Sequence, residues 1–368
     1  MLYLAIDQHS KQLTVNLRNE AGEVVLRRQV STRGAAPREF LEEVQRRSAA
    51  EGGYVTIVEV CGFNDWLLEL LPACGCRETV LVQADRRSQR KTDRRDAAKL
   101  GELLWVNRHR LATGQPISHL RRVRILTRQE REDRRVTQLR QNLGRELTRT
   151  INAVKTILRR ENLQQHCPTK GIQTRAAEAW LKKLALAPLD RLELDQLLVR
   201  WQLLKQQKQE VETEIARRAA VHPDAQLLQT LPGAAAYSAL GLAARVGPIE
   251  RFPRPRSLAN YWGLTPRCRN SGETTDRLGS ITKEGSKLAR FLLGQLVLHV
   301  LRKDAALRGW YKRLKLRRGS KIARVAVMRR LATTIWHMLK KREAYQIGGP
   351  PRKKLKRHAP ASAKKVPV

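Results

Sequence analysis

The stretch LYLAIDQHSKQLTVNLRNEAGEVVLRRQV, residues Leu2–Val30, determines how the chain begins to fold. It contains an apolar run, LYLAID, then an alternating run, QLTVNL, and then VVLRRQV. Short apolar or alternating runs are typical of strands, and the polar NEAGE segment before the third run is typical of a turn. The stretch therefore predicts three strands, at residues 2–7, 12–17 and 24–30, paired as an antiparallel meander.

Helices and strands alternate after this meander. Apolar periodicity predicts two further strands and three helices: a helix at 37–48, a strand at 54–60, a helix at 66–71, a strand at 79–83 and a helix at 93–106. The order βββαβαβα is the element order of the ribonuclease-H-like (RuvC-like) nuclease fold. We therefore predict an α/β domain of this type at residues 1–112.

The rest of the chain is predicted to be mainly helical. Residues 113–222 are Arg-rich and carry a heptad-like apolar pattern between Leu192 and Arg218, which indicates a helical, coiled-coil insert. The pattern fits a hairpin within one chain or a seam between two chains. Residues 223–346 form a predicted helical C-terminal domain, and 347–368 a basic tail without core residues that is expected to be disordered.

The charge of the chain indicates a polyanionic partner. Its 368 residues include 73 Lys and Arg against 34 Asp and Glu, a net charge of +39. A surface of this kind binds nucleic acid through the phosphates. The charge is spread along the chain, which argues against a membrane-surface helix, and the longest apolar run, 291–301, is too short to span a bilayer. Asp7 interrupts the first apolar run, so we expect no signal peptide and a cytoplasmic location.

Four acidic residues are candidates for a metal site. Asp7 and Glu59 come at the ends of predicted strands, and Asp93 and Asp96 begin the helix after the fifth strand. The ends of such strands meet at one edge of a sheet, and carboxylates gathered there would repel one another without a cation. Oxygen ligands suit Mg²⁺ or Mn²⁺. For Asp93 and Asp96, stabilisation of the helix N-terminus is an equally simple explanation.

With these residues, the chain resembles the IS110 family of insertion-sequence transposases, the DEDD transposases. One block of the resemblance comprises AIDQHSK (Ala5–Lys11), EVCG (Glu59–Gly62) and KTDRRDA (Lys91–Ala97). The second block is C-terminal and contains LPGAAA (Leu231–Ala236), RFPRPRSLANYWGLTPR (Arg251–Arg267), NSGETTDRLGSITKEG (Asn270–Gly285) and KLARFLL (Lys287–Leu293). The combination is specific, although no single motif is.

The resemblance implies a function for each block. It assigns the metal-binding acidic tetrad to Asp7, Glu59, Asp93 and Asp96, and a catalytic serine to Ser271. Members of the family are implied to cut and rejoin donor and target DNA with Mg²⁺, guided by a structured RNA that the element encodes. They are also implied to act as homo-oligomers, dimers or tetramers, in bacteria or archaea.

Several basic residues near these motifs are predicted to bind nucleic acid, and two further serines are alternatives to Ser271. The candidate phosphate contacts are Lys91, Arg94, Arg95, Arg267, Arg269, Lys283, Lys287 and Arg290. Ser280 and Ser286 lie in the same stretch as Ser271 and are alternative nucleophiles. The chain also has Ala235 where a helix-hairpin-helix turn usually has a second glycine, which weakens the case for phosphate binding there.

Three functions fit these observations. The first is an RNA-guided DNA transposase that uses the four acids and Ser271. The second is a junction-resolving nuclease that uses the acids alone, and the third is a non-catalytic, basic nucleic-acid scaffold. The long C-terminal part with its NSG motif favours the first over the second, and the acids favour either enzyme over the scaffold.

Overall fold

The computed structural model describes residues 1–83, 93–115, 121–268 and 278–348, and of residues 93–95, 268 and 278 it describes the backbone alone. The chain divides into two compact units, Met1–Leu126 and Thr127–Val368. The basic tail predicted from residue 347 lies, from residue 349 onward, outside the described residues. No helix in the described ranges has the length and apolar character needed to cross a membrane.

The first unit is built on a mixed six-stranded sheet. Its strands are β1 (Leu2–Gln8), β2 (Gln12–Arg18), β3 (Val24–Ser31), β4 (Tyr54–Glu59), β5 (Cys76–Gln83) and β6 (Arg121–Arg122). The spatial order is β3-β2-β1-β4-β5-β6, in which β1–β2 and β2–β3 are antiparallel and β4 lies parallel to both β1 and β5. The predicted meander is therefore confirmed. The edge strand β6 was not predicted, because two exposed arginines carry no apolar pattern.

Helices cover both faces of this sheet. They are α1 (Ala36–Ser48), α2 (Asp65–Ala73), α3 (Asp93–Val106) and α4 (Arg108–Ala112), with a short 3-10 turn at Ala49–Glu51. In β1, Leu4 and Ile6 pack in a cluster with residues of α1 and α2, whereas Tyr3 and Ala5 pack in a second cluster with residues of α3. Every residue of β1 is buried, as is usual for a strand covered on both faces.

The second unit is mainly helical. Its helices are α5 (Arg128–Arg160), α6 (Arg175–Lys183), α7 (Pro188–Val221), α8 (Pro223–Leu228), α9 (Ala236–Val246), α10 (Pro255–Tyr261), α11 (Lys287–Lys303) and α12 (Ala305–Lys341). Two 3-10 turns, Gln164–His166 and Ile249–Arg251, and a strand pair, β7 (Pro266–Cys268) with β8 (Leu278–Ile281), complete the described elements. The main core lies among α9, α10, α11 and the second half of α12.

The two longest helices of the middle region, α5 and α7, pack against each other within the chain. A capping box at Thr127 and Glu130 starts α5. Trp201 and Leu198 of α7 are buried together with Val154 of α5. The structure thus contains the hairpin within one chain, which is one of the two arrangements that the heptad-like pattern allowed.

Candidate active site

Asp7 and Glu59 lie level with each other at the ends of neighbouring strands. In the parallel pair β1–β4, Ile6 is opposite Val58, and each acid is the next residue along its strand. Successive side chains alternate between the faces of a sheet, and Ala5 and Ile57, two residues earlier, belong to the cluster under α3. Both carboxylates therefore project from the face that α3 covers.

Helix α3 brings a third acid to the same face. Ala97, Leu100 and Leu104 of α3 are buried against the sheet. Asp96 is half-buried and lies one turn before Leu100, on the same side of the helix. Asp93 is the first residue of α3, and its side chain lies outside the described residues. The structure thus brings Asp7, Glu59 and Asp96 to one face of the sheet.

A hydrogen-bond network connects the ends of the two acid-bearing strands. The Gln8 amide, which is buried, donates to the carbonyl oxygen of Phe63 at 3.0 Å. The Asn64 amide donates to Gln8 Oε1 at 2.9 Å and to the Glu59 carbonyl oxygen at 3.1 Å. Asn64 Oδ1 also accepts the backbone N–H of Cys61. These contacts hold the loop after β4 against the end of β1, and so position the backbone that carries Glu59.

The electrostatics around the two strand ends are those of a negatively charged site. Burial raises the pKa of the Cys61 thiol, and the negative charges of Asp7 and Glu59 act in the same direction. His9 Nε2 lies 3.1 Å from Asp7 Oδ2, so the ring is placed to donate to this carboxylate. Sequence reasoning missed Gln8, His9 and Asn64. Gln8 and His9 directly follow Asp7 in the sequence, which was the available signal for these two residues, whereas Asn64 lies five residues after Glu59 and had no such signal.

The described carboxylates fit part of a divalent-cation site. Asp7 and Glu59 supply hard oxygen donors at adjacent strand ends, which is the donor chemistry that Mg²⁺ prefers. Within the described ranges, no group of three or more His, Cys, Asp or Glu is arranged to hold a metal ion. The full tetrad includes Asp93, whose side chain is not among those described.

The second predicted catalytic element, the NSG motif, falls in residues 269–277, so Ser271 and Arg269 lie outside the described residues. The strands on either side of this segment are paired, with Cys268 opposite Leu278. Ser280 is exposed on β8, whereas Ser286 accepts the backbone N–H of Ala289 at 3.1 Å and caps α11. Ser286 therefore has a structural role of its own.

Two glycines bring the turns beside this strand pair together. Gly263 and Gly285 have φ values of +65° and +66°, a region that favours glycine. A Cβ on Gly285 would lie 2.0 Å from the Tyr261 carbonyl oxygen, and one on Gly263 would lie 2.4 Å from backbone atoms of Glu284. The backbones therefore approach to a distance that no other residue type permits, and this contact fixes the base of the β7–β8 pair.

The basic residues predicted to contact phosphate differ in their surroundings. Lys283 and Lys287 are exposed, and so is Arg267, which also donates to the Thr282 carbonyl oxygen at 3.0 Å. Arg290 is half-buried and donates to the carbonyl oxygens of Trp262 (3.0 Å) and Glu284, and burial lowers its pKa. Arg290 thus joins the turn after α10 to the turn before α11. Lys91 and the side chains of Arg94 and Arg95 lie outside the described residues.

The LPGAAA turn packs against α11. Gly233 has φ +82°, and a Cβ there would lie 2.4 Å from the Cβ of His299. The following helix, α9, begins at Ala236, and its N-cap residue, Ala235, offers no side-chain acceptor. The glycine of this turn is thus required by a packing contact.

Comparison with known protein families supports the same assignment for both units. Residues 4–162 match a family model described as a transposase, the DEDD type of IS110 elements. Residues 225–312 match the model described as the transposase IS116/IS110/IS902 family. The chain belongs to the IS110 family of transposases. The first match contains Asp7, Glu59, Asp93 and Asp96, and the second contains Ser271.

Individual relatives of this IS110-family chain include two named transposases. It is 37% identical over 141 residues to the transposase for insertion sequence element IS1111A from Coxiella burnetii, a match that covers 37% of this chain and 38% of the relative. It is 29% identical over 178 residues to the transposase for insertion sequence element IS1328 from Yersinia enterocolitica, covering 45% of this chain and 53% of the relative. The matches thus span about half of these relatives or less.

Proposed function

We propose that this protein is a DNA transposase that cuts and rejoins DNA for the movement of an insertion sequence. The observation that carries the proposal is the placement of Asp7 and Glu59 at adjacent strand ends, on the face covered by the helix that contains Asp96. Asp7 is buried and Glu59 and Asp96 are half-buried, so negative charges gathered there repel one another and a divalent cation would relieve that repulsion. Membership of the IS110 family supports a divalent-metal enzyme. We also propose that the chain is organised as an α/β domain at residues 1–112, a helical insert at 113–222 and a C-terminal domain at 223–346.

The sheet supports a ribonuclease-H-like fold for the first unit. Three antiparallel strands are followed by two strands parallel to β1, and the acids lie at the ends of β1 and β4 and on α3. In this arrangement Asp7, Glu59, Asp93 and Asp96 would hold Mg²⁺ or Mn²⁺. The bound cation would polarise the phosphodiester and stabilise developing negative charge.

Ser271 is the proposed nucleophile. Its hydroxyl oxygen forms a bond to the phosphorus of a DNA strand while the phosphorus–oxygen bond to the leaving strand breaks. The serine proton passes to a base, and the leaving oxygen takes up a proton. The phosphoserine bond then reacts with the hydroxyl of the incoming strand, so the number of phosphoester bonds is unchanged. A serine hydroxyl needs such activation, because it is a weak nucleophile at its ordinary pKa.

A structured guide RNA is the proposed source of sequence recognition. The chain has a net charge of +39 and 5% aromatic residues, which suits the binding of backbones better than the stacking of single-stranded bases. Recognition of donor and target DNA would then be left to base pairing, as in other guided systems.

Copies of the chain are proposed to associate through an exposed stripe on α7. Leu189, Leu192, Val199 and Leu203 are spaced by three, seven and four residues, lie on one side of the helix and are 52–75% exposed. This exposed stripe is separate from the side of α7 that packs on α5, where Trp201 is buried. A heptad-spaced apolar stripe is the pattern that pairs helices in coiled coils.

Light scattering on Leu192→Glu/Leu203→Glu tests this association. The variant should have the mass of a smaller assembly than the wild type. Val106→Glu, an exposed apolar residue at the end of α3, serves as the matched control and should not change the mass. If the wild type and both variants have equal masses, the exposed stripe is not the surface through which the copies associate.

The catalytic proposal is tested by strand exchange and by trapping protein–DNA adducts with Mg²⁺ present. Ser271→Ala should abolish both the covalent adduct and recombination, and Asp7→Asn should abolish recombination. Ser280→Ala, an exposed serine on β8, is the control and should retain activity. Normal recombination by Ser271→Ala would overturn the proposal. Loss of cleavage in Asp7→Asn alone would favour the junction-resolving nuclease.

A further inference from the structure

Helix α12 folds back on itself near its middle. Gly319 has φ +79° and ψ 164°, values outside the helical region. The guanidinium carbon of Arg330 lies 5.4 Å from the centre of the Trp310 ring. In a continuous helix these residues, twenty positions apart, would be separated by about 30 Å. The two halves of α12 therefore turn back toward each other, with Gly319 at the bend.

The segment around the bend is exposed to solvent, whereas the helical segments on either side of it are packed into the core. Every residue from Lys315 to Ile322 is exposed. On one side of the bend Leu307 is buried, and on the other Val327 and Leu331 are buried in the core of the second unit. Arg324 also donates to the Gly294 carbonyl oxygen of α11 at 2.7 Å. We call residues 312–322 the hairpin tip.

The hairpin tip concentrates positive charge. From Ala305 to Arg342 the chain has 13 Lys and Arg and no Asp or Glu. Six of these cations lie in the tip and are exposed: Lys312, Arg313, Lys315, Arg317, Arg318 and Lys321. Within the described part of the chain, none of the six forms an ion pair. Like charges this close repel one another, and a polyanion that neutralised them would bind with release of its counterions.

Two large apolar side chains of the hairpin tip are exposed next to these cations. Leu316 is 88% exposed and Ile322 is 57% exposed. Neither contributes to a core, so folding does not explain them. Proteins that bind the minor groove of DNA combine cations on the phosphates with apolar side chains that press between or against the bases. The minor groove of B-form DNA is narrow, whereas that of duplex RNA is wide and shallow and fits such a wedge less well.

We propose that the hairpin tip binds double-stranded DNA at the minor groove, with Lys315, Arg317, Arg318 and Lys321 on phosphates and Leu316 against the bases. This inference rests on the proposed function only in taking DNA as the substrate. The matched family segment ends at residue 312, so nearly the whole tip lies beyond it. None of these residues belongs to either sequence motif of the proposed catalytic site.

The test removes the same number of charges at two places. The tip variant is Lys315→Gln/Arg317→Gln/Arg318→Gln/Lys321→Gln in the full chain. The control variant is Lys170→Gln/Arg175→Gln/Lys182→Gln/Lys183→Gln, which has the same net charge and changes four exposed cations near α6. Fluorescence anisotropy measures binding to a duplex DNA of random sequence at several salt concentrations.

The tip variant should lose roughly tenfold or more in affinity, and its salt dependence should fall by about 0.9 in slope for each lost phosphate contact. The control variant should bind nearly as the wild type does. Equal losses in both variants would show a general effect of charge and would overturn the proposal, as would wild-type binding by the tip variant. Thermal melting should show that both variants are folded.

A third variant, Leu316→Ser, tests the groove. It should weaken binding to duplex DNA without changing the salt slope, and should leave binding to duplex RNA unchanged. If the tip variant loses affinity for duplex RNA while retaining it for DNA, the DNA assignment is wrong. All these measurements report binding alone, so their outcome is independent of whether Ser271→Ala abolishes strand exchange.

Discussion

The helix α11 and the hairpin tip of α12 are close in sequence, yet they differ in how far packing constrains their side chains. In α11, nine of 17 residues are buried, among them Leu293 and Val297. From residue 315 to 322, no side chain is buried. Packing therefore constrains α11 at nearly every second position, whereas the tip is free of such constraint. A cationic, leucine-bearing sequence at an unconstrained position is better explained by a partner than by the fold.

The largest effect on stability is expected at the crowded glycine beside α11. Gly285→Ala places a Cβ 2.0 Å from the Tyr261 carbonyl oxygen and forces a side chain into a φ of +66°. Strain of this kind together with a displaced backbone should cost on the order of 4 kcal/mol. Urea unfolding measures it. Gly34→Ala has a similar positive φ in open space and is the control for strain alone. Equal losses in the two variants would show that crowding at Gly285 is relieved at little cost.

A second expected loss tests the packing of α11 itself. Leu293 is fully buried, so Leu293→Ala should destabilise the protein by about 3 kcal/mol, through lost burial and the cavity left behind. Leu298→Ala on the exposed side of the same helix should change stability by less than about 0.5 kcal/mol. Thermal unfolding measures both variants. Similar losses of stability for Leu293→Ala and Leu298→Ala would show that burial does not determine which positions of α11 are constrained.

Local patterns explain which features were predictable from sequence. The meander was predicted because strand alternation is visible within residues 2–30, and the acids because Asp7 and Glu59 directly follow apolar strand residues. The Gln8–Asn64 contact joins residues 56 positions apart and leaves no local signal. The fold-back at Gly319 was also missed. The sequence predicted a mainly helical domain at residues 223–346, but the reversal of the chain is visible only in the non-helical backbone of Gly319 and the contact between Trp310 and Arg330.

The start of α12 gives a third, smaller effect that depends on pH. Asp304 Oδ1 accepts the Leu307 N–H at 2.8 Å, and Oδ2 accepts the Tyr345 hydroxyl at 2.9 Å and the Gly348 N–H at 3.1 Å. Asp304→Ala removes this cap and should cost about 2 kcal/mol at neutral pH.

Burial alone would raise the pKa of Asp304, but these hydrogen bonds outweigh it and the pKa is lowered. A lowered pKa in the folded state means that the stabilisation is present above the unfolded-state pKa and is lost as the pH falls through the folded-state pKa. The difference between wild type and Asp304→Ala should therefore shrink below roughly pH 4. A difference that stays constant down to pH 2 would assign the effect to side-chain packing, independent of charge.

The smallest effect is expected at the tip. Gly319→Ala forces alanine into a φ of +79°, but no atom lies within 4 Å of the added Cβ. The cost should be the strain alone, about 1 kcal/mol, and well below that of Gly285→Ala. Thermal unfolding of the two glycine variants side by side measures the contrast. A loss at Gly319 as large as that at Gly285 would mean that the bend is tightly packed, and the tip could then no longer be treated as a surface free to enter a DNA groove.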